Sequence, residues 1–368
     1  MKLHERYGNN IFRKTNLMIS RREILKDLLI APFAAKAARS ESLTTLAKAE
    51  MPDTGDSNVI VPRALTKGSK IAITAPASPS STWEVNGLVS KFRALGVECE
   101  IGETVKQRSS STRYLSAPDD RRLDELMGYF LRDDIDGIFC ARGGYGVMRI
   151  LEKLDYAEIA RHPKIVVGYS DITALLLALY SQCGLVCYHG PVASSQFDEF
   201  TTTHMLKVLF SDYSDGIIEY TAPNLEIISP GTATGQLVGG NLTMVSGMLG
   251  TPYDVDTTGK IIFLEETREE PYKIDRMLTQ MLLAGKFKNA AGVILGNFEY
   301  LKGNRNFFPG RSFSTMQVLV DRLGGLEIPV MFGVPFGHMQ KKMTLPLGVN
   351  ARIDTAKKSF SIIERAIC

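Results

Sequence analysis

From residue 70 to residue 189, short apolar runs alternate with stretches of helical periodicity, and that alternation leaves few folds open to the chain. Strands are expected at 70–74, 97–101, 137–141, 165–169 and 185–189, with helices at 84–95, 119–131, 145–154 and 171–181 between them. Near-continuous apolar strands separated by helices require a parallel sheet covered on both faces, which is an α/β architecture. Such sheets bind ligands at the carboxyl ends of their strands. Two glycine-containing loops fall at such ends, residues 142–146 and 168–171, and chemistry is expected there. Beyond about residue 200 the strands become shorter and richer in Gly and Thr, which suggests a second domain of the α+β kind. Within it Ile274, Met277, Leu278, Met281 and Leu282 recur at helical spacing and predict an amphipathic helix over 272–284. These methionines read as core.

Charge is unevenly placed. The first 37 residues hold eight Lys/Arg against three Asp/Glu, and removing them from totals of 43 and 40 leaves 35 basic and 37 acidic residues. The basic excess therefore belongs to the leader, and a nucleic-acid surface is not expected. Residues 20–26 read Ser-Arg-Arg-Glu-Ile-Leu-Lys, which matches a twin-arginine export signal, with an apolar stretch over 28–35 and a small-x-small site at 35–37. The expected organisation is a signal peptide at 1–37, a polar linker at 38–66, a nucleophile domain at 67–200, a connection at 201–225 and a second domain at 226–368. No other segment approaches the ~20 apolar residues of a membrane span. Neither H-E-x-x-H nor a paired C-x-x-C spacing occurs, so no metal and no cofactor is expected.

Ser170 lies in Val167-Gly-Tyr-Ser-Asp171, between a buried strand and a helix. A serine there can present a nucleophile beside helix N-terminal N–H groups, or Ser170 or Asp171 can simply cap the helix. Local sequence leaves both readings open, and the closing Gly of G-x-S-x-G is absent. A nucleophile needs a base, and only five histidines exist. His4 is in the leader, His162 adjoins a proline turn and His204 opens a polar helix. His189 and His338 both follow strands, and either could serve or be structural. Residues 260–266 run four apolar positions into Glu265-Glu266, so a rigid strand could present Glu265, although a generic Glu pair more often starts an exposed loop.

Eight segments together resemble the LD-carboxypeptidase family of serine peptidases. They are Ala141-Arg-Gly-Gly-Tyr-Gly146, Val167-Gly-Tyr-Ser-Asp-Ile-Thr-Ala174, His189-Gly-Pro191, Gly239-Gly-Asn-Leu242, Phe263-Leu-Glu265, Tyr272-Lys-Ile-Asp-Arg276, Gly337-His338 and Leu345-Pro-Leu-Gly348. The resemblance spans about residues 68–360. It implies a flavodoxin-like N-terminal domain bearing the nucleophile and a swivelling, β-rich C-terminal domain bearing the acid and base. It also implies Ser170, Glu265 and His338 as the catalytic triad, and an oxyanion hole from the backbone N–H groups of Asp171 and Gly144. Substrate contacts are expected from Arg142, Gly143, Tyr145 and His189, with Arg142 either on the substrate carboxylate or in a structural ion pair. Glu266-Thr267-Arg268 departs from the family pattern and leaves the lining of the groove open. The implied substrate is a murein tetrapeptide that loses its terminal D-alanine; a related branch hydrolyses an antibiotic peptide. Other partners implied are the twin-arginine translocon, through the leader, and a second copy in a homodimer. A non-catalytic periplasmic peptide receptor is the rival reading from another class. A dinucleotide site at Gly143-Gly-Tyr-Gly146 fails on spacing.

Overall fold

The computed structural model of the chain describes residues 59–107, 114–214, 216–299 and 313–368. The expected signal peptide and residues 38–58 of the expected linker lie outside the described residues. The first half alternates as expected: β1 (Lys70–Thr74), α1 (Thr82–Ala94), β2 (Glu98–Ile101), α2 (Glu103–Lys106), α3 (Asp119–Leu131), β3 (Gly137–Cys140), α4 (Tyr156–Arg161), β4 (Ile165–Gly168), α5 (Thr173–Cys183), β5 (Tyr188–His189) and α6 (Glu199–Leu209). β1 to β5 form a parallel sheet in the order β2-β1-β3-β4-β5, the flavodoxin-like arrangement. Its central strands β3 and β4 are buried throughout, which explains their uninterrupted apolar sequence.

Two local expectations are corrected. The helix expected over 145–154 is instead a pair of short 3₁₀ turns, Val147–Arg149 and Leu151–Lys153. The Val147 N–H is taken by the Asp171 carboxylate at 3.0 Å, and Asp155 then starts α4 by accepting from the Glu158 N–H. The strand expected over 185–189 is cut to Tyr188–His189. The Val186 N–H bonds to Ile60 O and the Ile60 N–H to Gly184 O, so residue 60 takes the backbone groups that would have continued the ladder. The end of the expected linker is therefore packed, with Leu65 fully buried and bridged to Phe210.

The second half contains β6 (Ile218–Thr221), β7 (Glu226–Ser229), β8 (Thr232–Asn241), α7 (Leu242–Gly247), β9 (Ile261–Thr267), α8 (Pro271–Leu283), β10 (Gly292–Glu299), α9 (Thr315–Leu323), β11 (Val330–Phe332), β12 (Leu345–Pro346), β13 (Asn350–Asp354) and β14 (Ser359–Ile362). All but β12 join a mixed sheet ordered β6-β14-β13-β8-β9-β10-β11-β7. β12 crosses back and pairs antiparallel with β5, closing the edge of the first sheet. α8 buries Ile274, Met277, Leu278 and Met281, the face expected from their spacing.

The halves meet on α5, whose residues from Thr173 to Tyr180 are all buried. A helix apolar all round must be covered on every side, and here the second half supplies the outer cover. The Asn241 N–H donates to Thr173 Oγ1 at 3.1 Å. A Cβ on Gly240 would sit 2.7 Å from that same Oγ1, so the Gly-Gly-Asn segment brings β8 against the start of α5. The described residues form one compact unit. Among the described residues no helix is long and apolar enough to cross a membrane.

Candidate active site

β4 ends at Gly168, Tyr169 is extended, and Ser170 then adopts φ +65°, a left-handed conformation uncommon outside glycine. Holding a serine there costs on the order of 1 kcal/mol, a strain typical of functional turns. Neither Ser170 nor Asp171 caps α5 through its side chain. Asp171 is instead buried and engaged with Val147. Burial pushes its carboxyl up, against the Val147 hydrogen bond and the Arg122 charge. The Ser170 side chain packs directly on Gly143, where an added Cβ would come within 2.7 Å of the serine Cβ.

The acid and the imidazole come from β9 and from the loop after β11. Successive strand residues face opposite ways, so Glu265 and Glu266, both buried, are sent to different surroundings. Glu265, with a side chain 0% exposed, holds His338, whose side chain is 21% exposed, through Nδ1···Oε2 at 2.6 Å. The His338 N–H donates to the same oxygen at 3.2 Å, and Asn297 Nδ2 donates to His338 O at 2.6 Å. Gly337 permits this approach. It has φ +87°, and a Cβ there would fall 2.5 Å from Glu265 Cγ. Burial pushes the Glu265 carboxyl up, but the His338 hydrogen bonds and the charges of His338 and His189 outweigh it and hold the group below its ordinary range. An imidazole anchored at Nδ1 keeps Nε2 available to exchange a proton.

Glu266 faces the other way and is saturated. It accepts from Asn241 Nδ2 at 3.0 Å, the Thr243 N–H at 2.8 Å, Thr243 Oγ1 at 2.7 Å and the Thr267 N–H at 2.8 Å. The unusual second glutamate therefore joins β9 to α7. Burial raises its pKa despite these bonds.

Ser170 and His338 line one open cleft of about 880 Å³, together with Arg142, Gly143 and Gly144. Two expected substrate contacts are placed differently from Arg142 and Gly143. His189 is 1% exposed and does not line the cleft; it is ringed by Tyr169, Phe263 and Phe336. Burial drives its pKa down to about 4. The Tyr145 ring, beside Gly144 and half exposed, packs edge-on against Tyr114, with centroids 5.5 Å apart. The other wall holds Thr267, the last residue of β9, and Arg268, the segment whose departure left the groove lining open, together with residues that sequence reasoning missed: Ser194 and Gln196 after β5, and Gln340 and Lys342 beyond His338. Each follows a strand whose carboxyl end faces the cleft, a signal that could have identified them. Among the described residues no group of three or more His, Cys, Asp and Glu is placed to hold a metal ion.

Two family models match, the LD-carboxypeptidase N-terminal domain over residues 71–190 and the LD-carboxypeptidase C-terminal domain over residues 234–353. A Bacillus subtilis protein named "Probable murein peptide carboxypeptidase" is 37% identical over 313 residues, 83% of this chain and 95% of the relative. Among solved structures, muramoyltetrapeptide carboxypeptidase from Oxalobacter formigenes superposes with a TM-score of 0.68 at 28% identity, covering 80% of this chain and 97% of the other. The microcin self-immunity protein MccF bound to glutamyl sulfamoyl guanosine superposes at 0.74 with 25% identity, covering 84% and 99%.

Proposed function

Because the chain belongs to the LD-carboxypeptidase family, we propose that it is a serine carboxypeptidase that hydrolyses the amide linking an L-configured centre to the terminal D-alanine of a murein tetrapeptide. The observation that carries this reading is a left-handed Ser170 sharing a cleft with an imidazole anchored to a buried carboxylate. His338 Nε2 takes the hydroxyl proton as Ser170 Oγ attacks the amide carbon. The tetrahedral intermediate collapses, the C–N bond breaks, and the same proton passes to the departing amine of D-alanine. Water then attacks the acyl ester, giving its proton to His338 and restoring Ser170. Glu265 fixes the tautomer and stabilises the imidazolium.

The oxyanion is assigned to the N–H groups of Asp171 and Gly144. The first turn of a helix has no intrahelical acceptors for its N–H groups, and the Gly144 N–H follows the Gly143 Cα packed on Ser170. Removing one such donor typically costs ~10²-fold or more. Arg142 and Gly143 supply cleft wall to the substrate. The deciding experiment incubates the protein and Ser170→Ala with murein tetrapeptide and measures D-alanine. Release is expected from the first alone. Equal release by both would remove Ser170 from the mechanism, and an aminoacyl sulfamoyl nucleoside run in parallel tests the immunity-protein activity.

The leader motif supports export through the twin-arginine translocon to the periplasm, where murein is met directly. A folding-dependent export reporter fused to residues 1–45 should be delivered, and delivery should stop when Arg21 and Arg22 are both changed to Lys. The family resemblance supports a homodimer, which sedimentation would reveal.

A further inference from the structure

One cation of the cleft has no part in the steps above. Lys342 lies four residues beyond His338 and lines the same cleft as Ser170, yet it is only 5% exposed. Its backbone is pinned by a hydrogen bond from its N–H to Thr201 Oγ1 at 3.1 Å, and Thr201 is itself buried at the start of α6. The ammonium stands 5.2 Å from the centre of the Tyr169 ring, another cleft residue. Among the described residues Lys342 Nζ has neither a hydrogen bond nor an ion pair. The carboxylates that act on it do so through space: Glu265, engaged by His338, and Asp198, engaged by the first turn of α6. Burial lowers its pKa against the pull of these two charges.

An ammonium drawn into the wall of the cleft without a polar partner is costly, and one aromatic face returns only part of that cost. The position makes sense if the partner arrives with the ligand. An exopeptidase must distinguish a chain end from a chain interior, and the mark of that end is a carboxylate beside the scissile bond. We propose that Lys342 binds the terminal carboxylate of the departing residue, with Tyr169 holding the ammonium in place, and so restricts the enzyme to chain ends. This rests on the peptidase reading. Arg142 is less suited, because it is exposed, and a solvated ion pair contributes little while a desolvated one discriminates strongly.

The test compares a murein tetrapeptide bearing a free terminal carboxylate with the same peptide amidated at that end, using the full protein, Lys342→Met and Arg142→Ala. The unaltered protein should prefer the free acid by roughly 10²-fold in kcat/KM. In Lys342→Met that preference should collapse towards one, chiefly by a rise in KM for the acid, while turnover of the amide and fluorophosphonate labelling of Ser170 persist. Arg142→Ala should keep the preference, whatever its rate. If Lys342→Met loses labelling, Lys342→Gln, which retains a polar head, carries the comparison. Retention of the acid preference without Lys342, or an equal loss on both peptides, overturns the inference. Failure of the unaltered protein to cleave either peptide overturns the peptidase reading itself and this inference with it.

Discussion

Glu265 and Glu266 are neighbours in sequence, both are buried, and their pKa values are pushed in opposite directions. In the proposed mechanism, replacing Glu265 by Gln keeps the shape and removes the charge that would orient and stabilise the imidazolium, so kcat should fall by about 10⁴-fold, as for a triad acid, with little change in melting temperature. Glu266→Gln puts a donor where N–H and hydroxyl groups already donate. It should cost about 1–3 kcal/mol of stability and leave kcat within a few-fold. Parallel kinetics and melting curves decide, and exchanged phenotypes would reverse the two assignments. His189 supplies a prediction in pH. Its folded pKa of about 4 lies below the ordinary 6.5, so the unfolded chain takes up a proton first. Its contribution is therefore complete above 6.5 and is lost as pH falls towards 4, on the order of 3 kcal/mol in all. Urea midpoints at pH 7.5 and pH 5 should fall less steeply in His189→Leu than in the unaltered chain; an unchanged slope would reject His189 as the source. At this scale the sequence could name the triad candidates but not rank them. A strand followed by Gly-Tyr-Ser-Asp suits a helix cap as well as a nucleophile, and the left-handed backbone of Ser170 is imposed by packing on Gly143 and the turn into α5, which no local pattern reports.

At the scale of elements, the alternation of apolar runs was sufficient for the parallel sheet and for the loops at its carboxyl edge, because strand burial there depends on composition alone. What it could not convey was competition for backbone groups. The turn at 147–149 gives a donor to Asp171 from the next strand-loop unit, and residue 60 takes bonds that would have lengthened β5. β12 is two residues long and pairs across more than 150 positions, so it leaves no local signature. The Gly337-His338 loop is the element on which the site depends most. Gly337→Ala introduces a Cβ 2.5 Å from Glu265 Cγ at φ +87°, so either the loop or the carboxylate must move. Activity and fluorophosphonate labelling should both drop by 10²-fold or more, since small misplacements of a catalytic group cost that much, and far-ultraviolet circular dichroism should report an unchanged fold. Full labelling in this variant would mean that the His338 anchor tolerates displacement.

At the scale of the molecule, two sheets that read in sequence as separate domains are laced together. β12 closes the first sheet with a strand from the second half. α5 is buried against both halves, and Tyr180 Oη bonds to Gln236 at 2.9 Å. The chain end returns as well: the Ala64 N–H donates to Cys368 O and the Cys368 N–H to Pro62 O, with Ala366 and Ile367 buried. Opening either half would expose α5, a helix too apolar to stand in water, so the halves should not unfold independently. A calorimetric scan should show one transition with matching calorimetric and van't Hoff enthalpies. Gly240→Ala, which drives a Cβ into Thr173, provides the stricter test. If the halves were autonomous, it would loosen their contact and split the transition in two. If they are one cooperative body, it lowers a single midpoint and lowers activity with it, because Ser170 lies on one half while Glu265 and His338 lie on the other. A split transition with each half keeping its own midpoint would refute the interlock.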